Sequence, residues 1–109
     1  MGKVLCVDFD DTLRDRHSGM PVEGAGEAMR ALKSQGFTLI ISSARLDPVL
    51  WGQLLEHRKR DITTWLGRHH IPYDKVVEYK PAADLYIDDK AYRFEGNWGR
   101  AVADIGELL

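Results

Sequence analysis

Val4-Leu5-Cys6-Val7, followed at once by Asp8-Phe9-Asp10-Asp11-Thr12, constrains this chain more than any other segment. An apolar run of this length without alternation suits a strand buried on both faces of a parallel sheet. Residues two apart on extended backbone point the same way, so Asp8 and Asp10 are expected to leave the strand's carboxyl end together. Open α/β sheets bind their ligands at that end. Adjacent carboxylates repel, and one pKa rises unless a cation or a proton intervenes. The pair therefore implies either a hard metal ion or acid–base chemistry.

Further strand and helix signals follow. Leu13 to Met20 is polar and reads as an exposed loop or small hairpin. A helix is expected from about Val22 to Gln35, with Ala25, Met29 and Leu32 on one face and Gly36 as its stop. Phe37 to Ile41 reads as a second buried strand, and Asp47-Pro48 as the start of a second helix. That helical stretch carries Leu50, Leu54, Ile62, Trp65 and Leu66, and the charged run His57-Arg58-Lys59-Arg60 within it is compatible with a kink, a break or a wet face. Ile71-Pro72 ends the stretch. Lys75–Val77 and Leu85–Ile87 read as short strands, and Asn97 caps a last helix striped by Trp98, Val102, Ile105 and Leu109. The order predicts a doubly wound, three-layer α/β sandwich with a mainly parallel sheet.

A length of 109 residues is read as a single domain, 1–109, with an apolar fraction of 44% sufficient for a core. Formal charge is −2, which excludes a polycation that binds nucleic acid along its whole surface. The single cysteine, Cys6, allows neither a disulfide nor a thiolate cluster and is expected to pack in the first strand. No apolar run approaches membrane-spanning length, and Asp8 and Asp10 interrupt the early apolar stretch, so no signal peptide is expected. The expectation is a cytoplasmic protein without membrane partners. Trp51, Trp65 and Trp98 are read as core or oligomer contacts. The basic clusters 57–60 and 68–70 read as solvated helix faces, with contact to nucleic acid as the alternative.

Parallel strands share one carboxyl edge, and several chemical groups fall there. Asp8 and Asp10 close the first strand, Ser42-Ser43 with Arg45 the second, and Asp88-Asp89 the last, with Lys80-Pro81 just before it. Carboxylate oxygens suit Mg²⁺, which also accepts phosphate oxygens. A lysine and a hydroxyl suit the remaining phosphoryl oxygens, and a carboxylate can act as nucleophile.

In these residues the chain resembles the haloacid dehalogenase superfamily, specifically its Mg²⁺-dependent phosphohydrolases. Residues 4–13 are similar to that family's first motif, a strand ending in Asp-x-Asp-x-Thr. Ser43 matches the hydroxyl of the second motif, Lys80 the lysine of the third, and Asp88-Asp89 the acidic fourth, in family order. The resemblance implies that Asp8 is the nucleophile and forms an aspartyl phosphate. Asp10 would protonate the leaving oxygen and then take a proton from the hydrolytic water. The Asp8 carboxylate, the Asp10 carbonyl and Asp88 would hold Mg²⁺, with Asp89 as an outer partner or alternative ligand. Ser43, Lys80, Thr12 and Arg45 would bind the phosphoryl group, with Ser42 the alternative to Ser43. Asp11 stands where many members carry glycine and adds negative charge beside the phosphate. The intervals in which members insert cap domains are taken up by ordinary sandwich elements, so a capless enzyme with an open site is implied.

The resulting expectation is a phosphomonoester hydrolase acting on a small molecule or a nucleic-acid end, with a nucleotide or polynucleotide phosphate favoured and a sugar phosphate as the alternative. A second copy of the chain is one way to close an open site. A phosphoacceptor signalling domain of response-regulator type is the alternative from another class. Its acceptor aspartate should close a middle strand, whereas the second strand here ends in serines.

Overall fold

The computed structural model describes residues 2–46 and 52–109. Strand β1 spans Val4–Asp8, helix α1 Ala25–Ser34, β2 Thr38–Ser42, α2 Leu55–Arg68, β3 Lys75–Val77, β4 Leu85–Ile87 and α3 Trp98–Leu108. The four strands form one all-parallel sheet in the order β3-β2-β1-β4, which makes this a doubly wound α/β fold. The strand order reverses between β1 and β4, and such a switch point opens a crevice outside the carboxyl ends.

Alternation along the two central strands sorts their side chains. Leu5, Val7, Leu39 and Ile41 share a face with Met29 of α1 and with Ile62, Trp65 and Leu66 of α2. Cys6 and Ile40 point the other way and are buried as well. Both central strands therefore read as apolar throughout. Phe9, 1% exposed, continues the core beyond β1 and meets Trp65 edge to face at 5.2 Å.

One expectation changes and two open readings narrow. Helix α1 starts at Ala25 rather than Val22, because Val22 N–H donates to the Leu13 carbonyl at 2.8 Å and closes a small hairpin with Asp15–Met20 inside it. The charged run 57–60 lies within an uninterrupted α2, so it is no break; His57 and Arg60 are exposed, while Arg58 and Lys59 are half-buried and Lys59 pairs with Glu78 at 3.2 Å. Of the two readings of Trp98, core or oligomer contact, the first is excluded: Trp98 and Val102 are 71% and 69% exposed, and only Ala101 of α3 is buried. Trp65 is buried as expected, whereas Trp51 and the Asp47-Pro48 helix start, with Leu50, lie outside the described residues. Asn97 does cap α3, accepting from Arg100 N–H at 2.9 Å.

Two aspartates set the outer strands in register. Asp74, just before β3, exchanges hydrogen bonds with Leu39: its carboxylate accepts from Leu39 N–H at 2.7 Å and its N–H donates to the Leu39 carbonyl at 2.8 Å. Asp84, just before β4, does the same with Val4, at 2.7 and 2.8 Å. Lys33 also pairs with Asp74, and these partners hold the Asp74 carboxyl below its ordinary pKa, the Lys33 hydrogen bond contributing most. Asp74→Ala should cost about 1–2 kcal/mol, the usual cost of orphaning a partly buried N–H. A melting curve should register that as a fall of roughly 4–16 °C. Because the Asp74 pKa is depressed, its contribution is present at neutral pH and fades as pH falls through the carboxylate range. An unchanged midpoint would refute the register role.

Candidate metal and phosphate site

Register brings the carboxylates together. Asp8 pairs with Ser42 across β1 and β2, and Val7 pairs with Ile87 across β1 and β4, so the next residue on each strand, Asp8 and Asp88, leaves the sheet side by side. Asp8, Asp88 and Asp89 each offer an oxygen within 4.8 Å of the others. They open on a cavity of about 660 Å³ at the carboxyl edge, which is also lined by Ser42, Ser43, Arg45 and Lys80. Asp8 sits deepest. Burial pushes its carboxyl up to about 6, the charges of Asp88 and Asp89 add to the rise, and the hydrogen bond from Phe9 N–H opposes it.

Oxygen donors alone, three of them carboxylates, form a set suited to a hard divalent cation. The wall of the cavity carries six carboxylates against four lysine and arginine side chains. Glu78 and Asp10 are offset by Lys59 at 3.2 Å and by Arg14 and Arg45, so the unbalanced negative charge lies at Asp8, Asp88 and Asp89. The three aspartates can hold a metal ion.

Asp10 takes a different place from the one its spacing suggests. Its carboxylate accepts from Arg45 Nε at 2.7 Å and Nη2 at 3.0 Å, and from Arg14 Nη1 at 3.1 Å. It lines the cavity but stands outside the cluster of Asp8, Asp88 and Asp89. The cause is the turn after β1, in which the Phe9 carbonyl accepts from both Leu13 and Arg14 N–H and ends the extended alternation. Arg45 thus pairs with Asp10, so the side chain read as a phosphate ligand is held by a carboxylate. The guanidinium of Arg45 also lies over the Phe9 ring at 5.5 Å.

Asp11 has φ 60°, a left-handed conformation that glycine adopts freely and aspartate tolerates. Its charge is not left bare: Arg16 contributes an N–H at 2.9 Å and a guanidinium at 2.9 Å. These contacts lower the Asp11 pKa, the backbone hydrogen bond from Arg16 foremost.

The two serines differ in what they have left to offer. Ser42 Oγ lies 3.3 Å from Cys6 Sγ. Ser43 Oγ accepts from Arg45 N–H at 3.2 Å, which leaves its own proton to donate. Lys80 Nζ rests 4.6 Å from the centre of the Tyr86 ring, and Tyr86 in turn donates to the Pro81 carbonyl at 2.6 Å. Thr12 is not among the cavity-lining residues, and its buried Oγ1 has no hydrogen-bond partner among the described residues.

Arg14 and Lys90 belong to this neighbourhood and were not singled out from the sequence. Lys90 directly follows Asp88-Asp89 at a strand end, a placement that applies the same strand-end rule. Arg14 lies four residues beyond Asp10, the spacing of facing neighbours on a helical turn. Among the described residues, no helix is long and apolar enough to cross a membrane.

No protein-family model matches the chain, and no curated protein matches it in sequence. Solved structures do. A conserved protein from Bacteroides thetaiotaomicron superposes with a TM-score of 0.62 at 23% identity, covering 100% of this chain and 93% of that one. A protein from Vibrio cholerae does so with a TM-score of 0.61 at 29% identity, covering 98% and 99%. A chain of the Pnkp1/Rnl/Hen1 RNA repair complex reaches a TM-score of 0.49 at 19% identity over 98% of this chain and 32% of that one, a likeness too slight to carry an argument. What these likenesses establish is a small Rossmann-like α/β fold, shared over nearly its whole length with two bacterial proteins.

Proposed function

We propose that this chain is a capless, Mg²⁺-dependent phosphomonoester hydrolase of the haloacid dehalogenase type, working through an aspartyl phosphate. The observation that carries the reading is the convergence of Asp8 with Asp88 and Asp89 in a cavity that also presents Ser43, Arg45 and Lys80. Phosphoryl transfer requires mainly positioning and charge neutralisation, and this set offers both.

Asp8, Asp88 and Asp89 would hold the Mg²⁺, which when bound neutralises phosphate charge. In the proposed reaction Ser43 and Lys80 hold two phosphoryl oxygens. Arg45 turns from Asp10 to the incoming phosphate, which leaves the Asp10 carboxyl with Arg14 as its one remaining guanidinium partner among the described residues. Asp10, released from Arg45, takes up a proton from solvent before the step. An Asp8 oxygen then forms the new bond to phosphorus, the ester P–O bond breaks, and Asp10 gives that proton to the departing oxygen. Asp10 then takes a proton from water as that water attacks phosphorus. The Asp8–phosphorus bond breaks, and inorganic phosphate and free Asp8 result. Asp8 attacks only when ionised. Burial pushes its pKa up to about 6, so turnover at low metal should rise with pH through that region.

Release of p-nitrophenol from p-nitrophenyl phosphate, with Mg²⁺ and with EDTA, tests the reading directly. Metal-dependent release is expected. No release from a panel of sugar phosphates, nucleotides and end-phosphorylated oligonucleotides would end it. Labelling by acetyl phosphate without turnover would point instead to a phosphoacceptor signalling domain.

A further inference from the structure

Behind the Asp10–Arg45 pair lies a second groove, of about 380 Å³, lined by Arg14, Arg45, Arg60, Arg68 and Thr64, with Asp61 its one carboxylate. The two cavities share Arg45 as a common wall. Their charges are opposite in sign: an acidic cavity that fits a cation adjoins a basic one that fits an anion.

The groove is built by helical periodicity. Arg60, Thr64 and Arg68 recur every four residues on α2, so they lie along one face with the two guanidinium stems about 12 Å apart along the axis. Arg14 and Arg45 are already engaged by Asp10. Arg60 and Arg68 have no side-chain ion pair or hydrogen bond among the described residues. Asp61, the groove's own acid, is shared with His57 at 4.0 Å. The aromatic floor of Phe9 and Trp65 is buried and gives no face on which a base could stack. What remains is a recognition surface for anionic oxygen, in which guanidinium forks and a hydroxyl match phosphate geometry.

We infer that this groove is a second phosphate subsite, and that the substrate carries another phosphate beyond the one at Asp8. The inference rests on the proposed function only for what occupies the neighbouring cavity. A second phosphate can come from a small bisphosphorylated molecule or from the backbone of an oligonucleotide, and the chemistry the groove recognises is the same.

Binding without turnover separates the outcomes. Calorimetry with Mg²⁺ and non-hydrolysable methylene phosphonate analogues would compare the analogue of a nucleoside 3′,5′-bisphosphate with that of the matching monophosphate, on the wild type and on the Arg60→Ala/Arg68→Ala double variant. Both arginines project from the exposed face of α2, and far-ultraviolet dichroism would check the fold. The wild type should prefer the bisphosphate at least about tenfold, the worth of one charge-assisted contact, and the double variant should lose that preference. Equal affinities in the wild type, or a preference that survives the double substitution, would overturn the subsite. Fluorescence anisotropy with end-phosphorylated oligonucleotides identifies the source. Affinity that grows with length and falls steeply with salt assigns the phosphate to a polymer backbone, and affinity flat in length assigns it to a small molecule. Absence of turnover alongside an intact bisphosphate preference would count against the hydrolase and not against the groove.

Discussion

Asp8→Asn is expected to abolish phosphate release, with a loss of at least about 10⁴-fold in kcat on the scale of removing an activated nucleophile. The substitution keeps size and shape, and a melting curve separates lost chemistry from lost fold. A second readout should move the other way. Burial and two neighbouring carboxylates raise the Asp8 pKa from 3.8 to about 6, so the folded chain holds that proton more tightly than the unfolded one. Stability of the metal-free protein therefore declines as pH climbs from 3.8 to about 6 and stays reduced above it. At about 1.4 kcal/mol per unit, discounted for partial exposure, the cost at neutral pH is on the order of 1–2 kcal/mol. The asparagine carries no such cost. In EDTA at pH 7.5 it should melt several degrees above the wild type and show a flatter dependence on pH. A variant that is fully active refutes the nucleophile, and one that is inactive but no more stable refutes the electrostatic cost assigned to Asp8.

Magnesium should produce the largest change in stability. A ligand present at a hundred times its dissociation constant stabilises by about 2.7 kcal/mol. For a chain of this size that corresponds to a rise in melting temperature of roughly 10 °C or more. EDTA should reverse the rise and extinguish turnover with it. The Asp88→Asn/Asp89→Asn variant should keep its fold and show little of the effect, because two of the three converging oxygen donors are weakened. A full thermal shift in that variant would place the cation elsewhere.

Much of this was legible in the chain because the signals were local. Val4–Val7 and Phe37–Ile41 read as buried strands from their apolar runs, and both are core strands. Asp8 and Asp88 close parallel neighbours, so the rule that strand ends share an edge was enough to bring distant residues together. Asp10 was harder. Its partners Arg14 and Arg45 were selected by a turn that ends the strand alternation, and nothing in the spacing distinguishes those arginines from others nearby. Asp74 and Asp84 were missed for a related reason. An aspartate before a strand looks like ordinary turn chemistry, and the backbone N–H it satisfies belongs to a strand far away in sequence. In α3 the helix and its stripe were legible but the choice between core and oligomer contact was not, since amphipathicity fixes which residues align and not what covers them.

The segment joining β3 to β4 has no helix. It begins at the acidic cavity with Glu78, Tyr79 and Lys80, and it ends on the opposite rim, where Asp84 is tied to Val4. Strand β4 itself is short, borders β1 alone, and leads directly into Asp88 and Asp89. Detachment of this one margin would withdraw the lysine and two of the clustered acids in a single event, since all three ride on the same stretch of backbone.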